Sequence, residues 1–76
     1  MKELLEYIAK SLVEFPDQVR VDETDRNGEI ILELHVAPSD MGKVIGRQGR
    51  IAKDIRSIIK SVAIRENVRV TVDIID

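Results

Sequence analysis

Cysteine and tryptophan are both absent from this sequence of 76 residues. Without cysteine the chain can form neither a disulfide framework nor a cysteine-based zinc site, and this composition fits a reducing cytoplasm. We therefore expect a cytoplasmic protein. Aromatic residues are almost absent, since Tyr7 and Phe15 are the only two. Their scarcity argues against a surface that stacks nucleic-acid bases on several aromatic rings, and we expect both side chains to serve in packing.

Long apolar runs are also missing. No stretch approaches the roughly 20 residues that cross a bilayer, and the residues after Met1 lack the apolar core and cleavage site of a signal peptide. We expect a soluble chain with no membrane partner. A chain of this length has room for one domain, so a second module is not expected.

Catalytic and metal-binding constellations are not recognisable. His35 is the only histidine, and no cysteine or serine is placed to act with it, so a surface position is favoured over a ligand or a general base. The phosphate loops of nucleotide hydrolases are absent, because Gly42-Lys43 is followed by valine and no Gly-x-Gly-x-x-Gly occurs. We expect no enzyme, no bound metal and no cofactor.

Basic charge is outweighed overall, with 12 lysines and arginines against 14 aspartates and glutamates. The distribution is uneven, because residues 1–42 carry four basic and ten acidic side chains whereas residues 43–76 carry eight and four. Within residues 43–60 only Asp54 is acidic, and the basic residues are Lys43, Arg47, Arg50, Lys53, Arg56 and Lys60. This local surplus suits a phosphate-rich partner, while a solvated helix face is the alternative that charge alone leaves open.

Hydrophobic periodicity predicts the elements before the basic segment. Apolar residues at helical spacing over residues 4–13 predict a first helix, with Glu6 and Lys10 paired on its polar side and Phe15-Pro16 ending it. A strand with Val19 and Val21 on one face follows, and Asn27-Gly28 then predicts a hairpin turn. The return strand directs one apolar set toward the core, namely Ile30, Leu32, Leu34 and Val36.

The remaining chain is predicted to hold two helices and a strand. Pro38-Ser39-Asp40 offers an N-cap for a short helix that reaches Ile45, and a longer helix begins near Arg50 and ends near Asn67. The apolar side of the longer helix comprises Ile51, Ile55, Ile58, Ile59 and Val62. The last strand alternates Val68, Val70, Val72 and Ile74 with polar residues. The order is therefore αββααβ, and three helices can cover one face of the sheet.

The segment between the last two helices reads Gly46-Arg47-Gln48-Gly49. Two helices that meet within four residues need a tight reversal, and glycine at both ends removes the Cβ atoms that would obstruct a ligand. The helix opening at Arg50 would direct N–H groups and positive dipole charge toward this turn. A phosphate could be held there without any base being read. A plain connector between helices is the alternative that the two glycines alone leave open.

The run Val44-Ile45-Gly46-Arg47-Gln48-Gly49, followed by a basic helix and a strand, resembles the KH domain. The leading helix and hairpin resemble its bacterial type II topology, an α+β fold with a three-stranded mixed sheet and three helices on one face. The resemblance covers nearly the whole chain as a single KH domain, residues 1–76. It is greatest to the small stand-alone KH proteins of bacteria, the KhpA type.

This resemblance implies binding of about four nucleotides of single-stranded RNA, with the backbone clamped by Gly46, Arg47, Gln48 and Gly49. Further implied or candidate contacts are Lys43, Val44, Ile45, Arg50 and Lys53, with Ile51 and the edge at residues 34–36 beside an apolar base groove. One departure from the usual KH pattern is Ala52, where isoleucine is common. It puts base preference in doubt.

The implied biology is that of a non-catalytic RNA chaperone or post-transcriptional regulator. The KhpA type is also associated with a larger KH-containing RNA-binding protein and with cell-shape and cell-wall control, which implies a homodimer or a heterodimer. A dimerising protein-interaction module that uses the same surface is therefore an alternative function. A helix-turn-helix reader of duplex DNA is a weaker one, because the helix before the turn is short and the chain ends in a strand.

Overall fold

The computed structural model describes residues 1–75, apart from the side chains of residues 46–48. The elements are helix α1 (Lys2–Leu12), a 3-10 turn (Pro16–Gln18), strand β1 (Arg20–Arg26), strand β2 (Glu29–His35), helix α2 (Pro38–Arg65) and strand β3 (Arg69–Ile75). The sheet has the order β1-β2-β3, with β1 antiparallel and β3 parallel to the central strand β2. The predicted mixed three-stranded sheet is therefore confirmed.

Helix α1 is amphipathic, as its sequence periodicity predicted. Leu5 and Ala9 are buried on one side, and the Glu6 and Lys10 side chains approach to 3.9 Å on the other. The helix ends at Leu12 because the chain turns to extended conformation ahead of Pro16, which then opens the 3-10 turn.

Tyr7 does not pack into the interior, contrary to our expectation. Its side chain is 72% exposed, because it lies about 200° around the helix from both Leu5 and Ala9. Phe15 is 43% exposed in residues 13–19, the connector between α1 and β1. Sequence spacing alone would have placed Tyr7 on the outer side of the helix.

The hairpin between β1 and β2 turns at the predicted dipeptide. Asn27 and Gly28 have φ values of 53° and 85°, and positive φ at both positions is typical of the type I′ turn that suits a two-residue hairpin. The Gly28 N–H donates to Asp25 Oδ1 at 3.2 Å, which stabilises the turn further. The register then pairs Arg26 with Glu29 and continues to Arg20 with His35.

Helix α2 is the crossover that joins the two parallel strands β2 and β3. Helical assignment covers Pro38–Arg65 as one element, but Gly49 has a φ of 64°, which a right-handed helix does not contain. Two right-handed segments, residues 38–45 and residues 50–65, therefore meet near Gly49. Counting both segments, the observed order is αββααβ with three helices, as predicted.

The core lies between the sheet and the helices. Leu5 and Ala9 of α1, and Ile55 and Ile59 of α2, pack on buried strand residues, which are Val21, Leu32, Leu34 and Val72. Ala52 is also buried. Ile58 is an exception to the predicted apolar side of α2, because it is 45% exposed. It lies about 100° around the helix from buried Ile59, outside the strip that faces the sheet.

The C-terminal end of α2 is closed at Asn67, as predicted. Its φ is 56°, and the Asn67 and Val68 N–H groups donate to the carbonyls of Ile64 and Ala63 at 3.2 and 3.0 Å. These two bonds form a Schellman motif, which satisfies carbonyls that the helix leaves unpaired and turns the chain into β3.

Candidate nucleic-acid interface

Gly49 provides the best-defined backbone feature of the predicted clamp. Its φ of 64° lies in the left-handed region, where a side chain is strained. A Cβ placed on Gly49 would meet no heavy atom within 4 Å. The glycine is therefore required by backbone conformation rather than by crowding within the described part of the chain, and the space beside it is open to a ligand. Of the other clamp residues, Arg47 and Gln48 have side chains outside the described part of the structure and Gly46 has none, so the roles of all three stay predictions.

The residues just before the turn differ in their access to solvent. Ile45 is 50% exposed and offers an apolar surface next to the glycines. Val44 is only 1% exposed, because its side chain faces the interior. Direct contact between Val44 and a base is therefore not supported by this arrangement, and we assign Val44 a packing role beneath the site.

Lys43 is exposed but already has a partner. Its Nζ donates to Glu14 Oε2 at 2.6 Å, in the connector that follows α1. This hydrogen bond and the negative charge of Glu14 raise the pKa of Lys43 above its usual value. The lysine is thus fully protonated at neutral pH, with its ammonium group directed at a carboxylate.

Asp40 has a role that we did not predict from the sequence. We expected it to lie in the N-cap region of the short helix, but Ala37 occupies the N-cap and no side-chain cap is formed. Asp40 is instead fully buried, and its carboxylate accepts hydrogen bonds from the Glu14 and Phe15 N–H groups at 2.9 and 3.0 Å. It therefore ties the connector after α1 to the helical segment that leads into the glycine turn. Its contacts are 25 and 26 positions away in sequence, so no local pattern could have revealed them.

Four exposed cations follow the turn on α2, namely Arg50, Lys53, Arg56 and Lys60. Their spacing of three, three and four residues places them along one side of the helix. Among the described residues, no carboxylate lies within ion-pair distance of any of them, in contrast to Lys43. This side of α2 is therefore an uncompensated basic strip, which we call the basic strip below.

A groove runs between the basic strip and the open edge of β3. It is lined by Arg56, Ile59, Lys60, Val70, Thr71 and Val72. The Arg56 Nε donates to the Val72 carbonyl at 3.3 Å, which anchors the guanidinium against the strand and leaves its terminal N–H groups for other acceptors. Arg56 is seven residues beyond Gly49, or roughly 10 Å along the helix.

The groove position corrects the edge that we expected at residues 34–36. Leu34 is fully buried, and it belongs to β2, the central strand, which has no open edge. Ile51 and Val36 are partly buried against the core. The strand edge available beside α2 is that of β3, because the parallel pairing with β2 places β3 at the outside of the sheet.

No group of three or more histidine, cysteine or acidic side chains within residues 1–75 is placed to hold a metal ion. None of the helices, over the residues described, combines the length and the apolar character needed to cross a membrane. His35 is half-buried on β2, where its Nε2 lies 3.2 Å from both Asp22 Oδ2 and Arg20 Nη2.

Residues 2–74 match the family model described as "KhpA/KhpB, KH domain". The chain belongs to this KH-domain family. The match covers both helical segments of α2, the glycine turn between them and all but the last residue of the sheet. The predicted KH resemblance is therefore confirmed, and so is its KhpA type.

Curated relatives of similar length support the same assignment. The chain is 65% identical over 75 residues to the RNA-binding protein KhpA of Clostridium acetobutylicum, covering 99% of this chain and 100% of the relative. It is 61% identical to the RNA-binding protein KhpA of Clostridium perfringens, with the same coverage of both chains. The RNA-binding protein KhpA of Caldanaerobacter subterraneus is 56% identical, again over 99% of this chain and 100% of the relative.

Proposed function

We propose that this KH domain binds single-stranded RNA without catalysing a reaction. The proposal is supported by the name "RNA-binding protein" that its relatives carry over their whole length. The observation that carries it is Gly49, whose left-handed backbone and open Cβ side allow a phosphate to approach the main chain at the start of a basic helical segment.

The proposed clamp comprises Gly46, Arg47, Gln48, Gly49 and Arg50. The helical segment after Gly49 would direct its first N–H groups at a phosphate, and the two arginines would add charge-assisted hydrogen bonds. Lys53 lies one turn further on and would contact the next phosphate along the basic strip. Such contacts hold the backbone and carry no base preference.

The bases would lie on the α2 side that runs from the turn toward β3. Ile45 offers an exposed apolar surface before the turn, and the groove at the β3 edge offers apolar floor residues, edge backbone groups and the anchored Arg56. A guanidinium fixed by Nε can present its remaining donors to a base edge or a phosphate in one orientation. We infer that Arg56 restricts which nucleotides fit the groove.

The decisive experiment is a fluorescence-anisotropy titration of a labelled single-stranded RNA with the variant Gly46→Asp/Gly49→Asp. For two to four neutralised phosphates, log affinity should fall with log salt at a slope of about −1.4 to −2.8. We expect a dissociation constant in the roughly micromolar range for the unmodified chain and loss of measurable binding in the variant.

The matched control adds the same two charges away from the turn, as Ser11→Asp/Thr24→Asp, at exposed positions on α1 and β1. Circular dichroism and unfolding midpoints establish that each variant is folded. If the folded Gly46→Asp/Gly49→Asp variant binds RNA with unchanged affinity, the proposed clamp is wrong. If the control variant loses as much RNA affinity, the loss is an effect of net charge and not of the glycine turn.

A dimerising protein-interaction module is the second candidate. It is favoured by Ile45 and Ile58, two isoleucines of α2 that are about half exposed. The partner would be a second copy, or a larger KH-containing RNA-binding protein of the kind that the KhpA resemblance implies. Light scattering with and without RNA separates the cases: RNA that dissociates dimers would indicate a shared surface, whereas dimers that bind RNA at full occupancy would indicate separate surfaces.

The cellular role that we propose is that of a cytoplasmic RNA chaperone or post-transcriptional regulator connected with cell shape and cell-wall biogenesis. It rests on the KhpA resemblance alone. Crosslinking to cellular RNA, followed by identification of the linked residues and transcripts, tests both the RNA-binding proposal and its targets.

A further inference from the structure

Lys43 differs from the four cations of the basic strip because a carboxylate of the same chain already occupies it. The Glu14 Oε2 lies 2.6 Å from the Lys43 Nζ, although both side chains are more than half exposed. In sequence Lys43 is three positions before Gly46, so a phosphate held at the glycine turn would lie close to it. The Glu14 carboxylate therefore lies beside the residues that lead into the turn.

Glu14 does not reach Lys43 by the chance rotation of a free surface side chain. Its backbone N–H is fixed on the buried carboxylate of Asp40, and the next N–H, that of Phe15, is fixed on the same group. The connector is also bonded on either side, since Val13 donates to Ala9 and Gln18 donates to Phe15. Glu14 is thus held within reach of Lys43, which lies one helical turn after Asp40 on the same side of α2.

We propose that Glu14 is an internal competitor, which occupies Lys43 in the free protein and is displaced when an RNA phosphate binds there. This inference rests on the proposed RNA-binding function. The Lys43 ammonium group has three N–H donors, but a carboxylate and a phosphate held at the same group repel each other, so binding of the phosphate favours departure of the Glu14 carboxylate. The pair lowers RNA affinity and makes Lys43 contribute only when a ligand outcompetes Glu14.

The magnitude follows from the exposure of the pair. Solvent-exposed ion pairs are weak, so we expect removal of the Glu14 charge to tighten RNA binding by only about two- to fivefold at low salt. Because one further cation then becomes available to phosphate, the salt slope should steepen by about 0.7. Both changes should disappear when Lys43 is neutralised.

The test compares Glu14→Gln, Lys43→Gln and the double variant by anisotropy titration of one single-stranded RNA over a range of salt concentrations. Glutamine keeps the size of Glu14 and leaves its backbone bond to Asp40 in place. Glu23→Gln is the control for net charge, because Glu23 is exposed on β1 and has no ion pair among the described residues. We expect tighter binding in Glu14→Gln alone, with the double variant equal to Lys43→Gln.

Two results would contradict the proposal that Glu14 competes with RNA. The first is unchanged RNA affinity in Glu14→Gln. The second is an equal gain of RNA affinity in Glu23→Gln, or on adding Glu14→Gln to Lys43→Gln, because either would indicate a long-range effect of net charge. If the unmodified chain binds no RNA, the proposed function itself fails. If the unmodified chain binds RNA and the Gly46→Asp/Gly49→Asp variant does not, but Glu14→Gln leaves RNA affinity unchanged, then RNA binding at the turn stands and only the proposed competition by Glu14 is wrong.

Discussion

Asp40 is the residue whose replacement should reveal most about how the site is held. Asp40→Ala removes the acceptor for two N–H groups, and hydrogen bonds to a charged group contribute about 1.5–3 kcal/mol each. Two effects reduce the sum. The two hydrogen bonds are only partly buried, so water can replace part of the lost acceptor, and loss of a buried carboxylate ends its desolvation cost. We expect a net loss of about 2–3 kcal/mol, a large part of the roughly 4–11 kcal/mol available to a domain of this size.

Urea unfolding followed by circular dichroism measures this loss. With an m-value near 1 kcal/mol/M, the urea midpoint should fall by about 2–3 M in Asp40→Ala. In Asp40→Asn, which keeps one acceptor oxygen, the midpoint should fall about half as far. Asp54→Ala is the matched control, since Asp54 is exposed on the same helix and should change stability by less than about 0.5 kcal/mol. Hydrogen exchange at the Glu14 and Phe15 amides should accelerate in the Asp40 variants only. If Asp40→Ala is as stable as Asp54→Ala, the buried carboxylate does not hold the connector.

Two further predictions test the packing of α2. Ile59→Ala should lower the free energy of unfolding by about 3 kcal/mol, whereas Ile58→Ala should lower it by less than about 1 kcal/mol, because only Ile59 lies in the core. Urea unfolding measures both losses. Equal losses would mean that the helix is rotated from its described orientation. Asn67→Ala should lower the thermal midpoint by about 4–8 °C, since alanine at a φ of 56° costs about 1 kcal/mol, and Asn67→Gly should not lower it. A drop in the glycine variant would show that the Asn67 side chain, rather than its backbone conformation, closes the helix.

Much of the fold could be predicted because its signals are local. Asn27-Gly28 specified a two-residue hairpin, and Asn67 specified the end of α2, since both depend on which residues tolerate positive φ. Alternation along residues 30–36 likewise indicated which side of β2 is buried. The family resemblance rested on a short motif in a recognisable order of elements, and the match over residues 2–74 confirms it.

Tyr7 apart, whose helical spacing already places it on the outer side of α1, the wrong predictions depend on contacts between distant segments. Asp40 was interpreted as a local helix cap. Its hydrogen-bond partners lie in a different part of the chain, so the local sequence could not indicate its role. The face of α2 was drawn too wide at Ile58, since periodicity gives the direction of a helical face and not the width that neighbouring elements cover. The groove at β3 could not be found from the sequence, because it depends on the order of strands in the sheet.

The parallel pairing of β2 with β3 has a dynamic consequence for the glycine turn. The register pairs Glu29 with Arg69, so formation of this strand pair closes a long loop that contains the whole of α2. Local opening that releases β3 removes Val72, one of the strand residues on which Ile55 and Ile59 pack, and so weakens the support of residues 50–65. The angle between the two helical segments, and with it any phosphate site at the turn, therefore depends in part on the closed state of a strand some twenty residues away. Amide exchange along β3 measures how often this part of the support is lost.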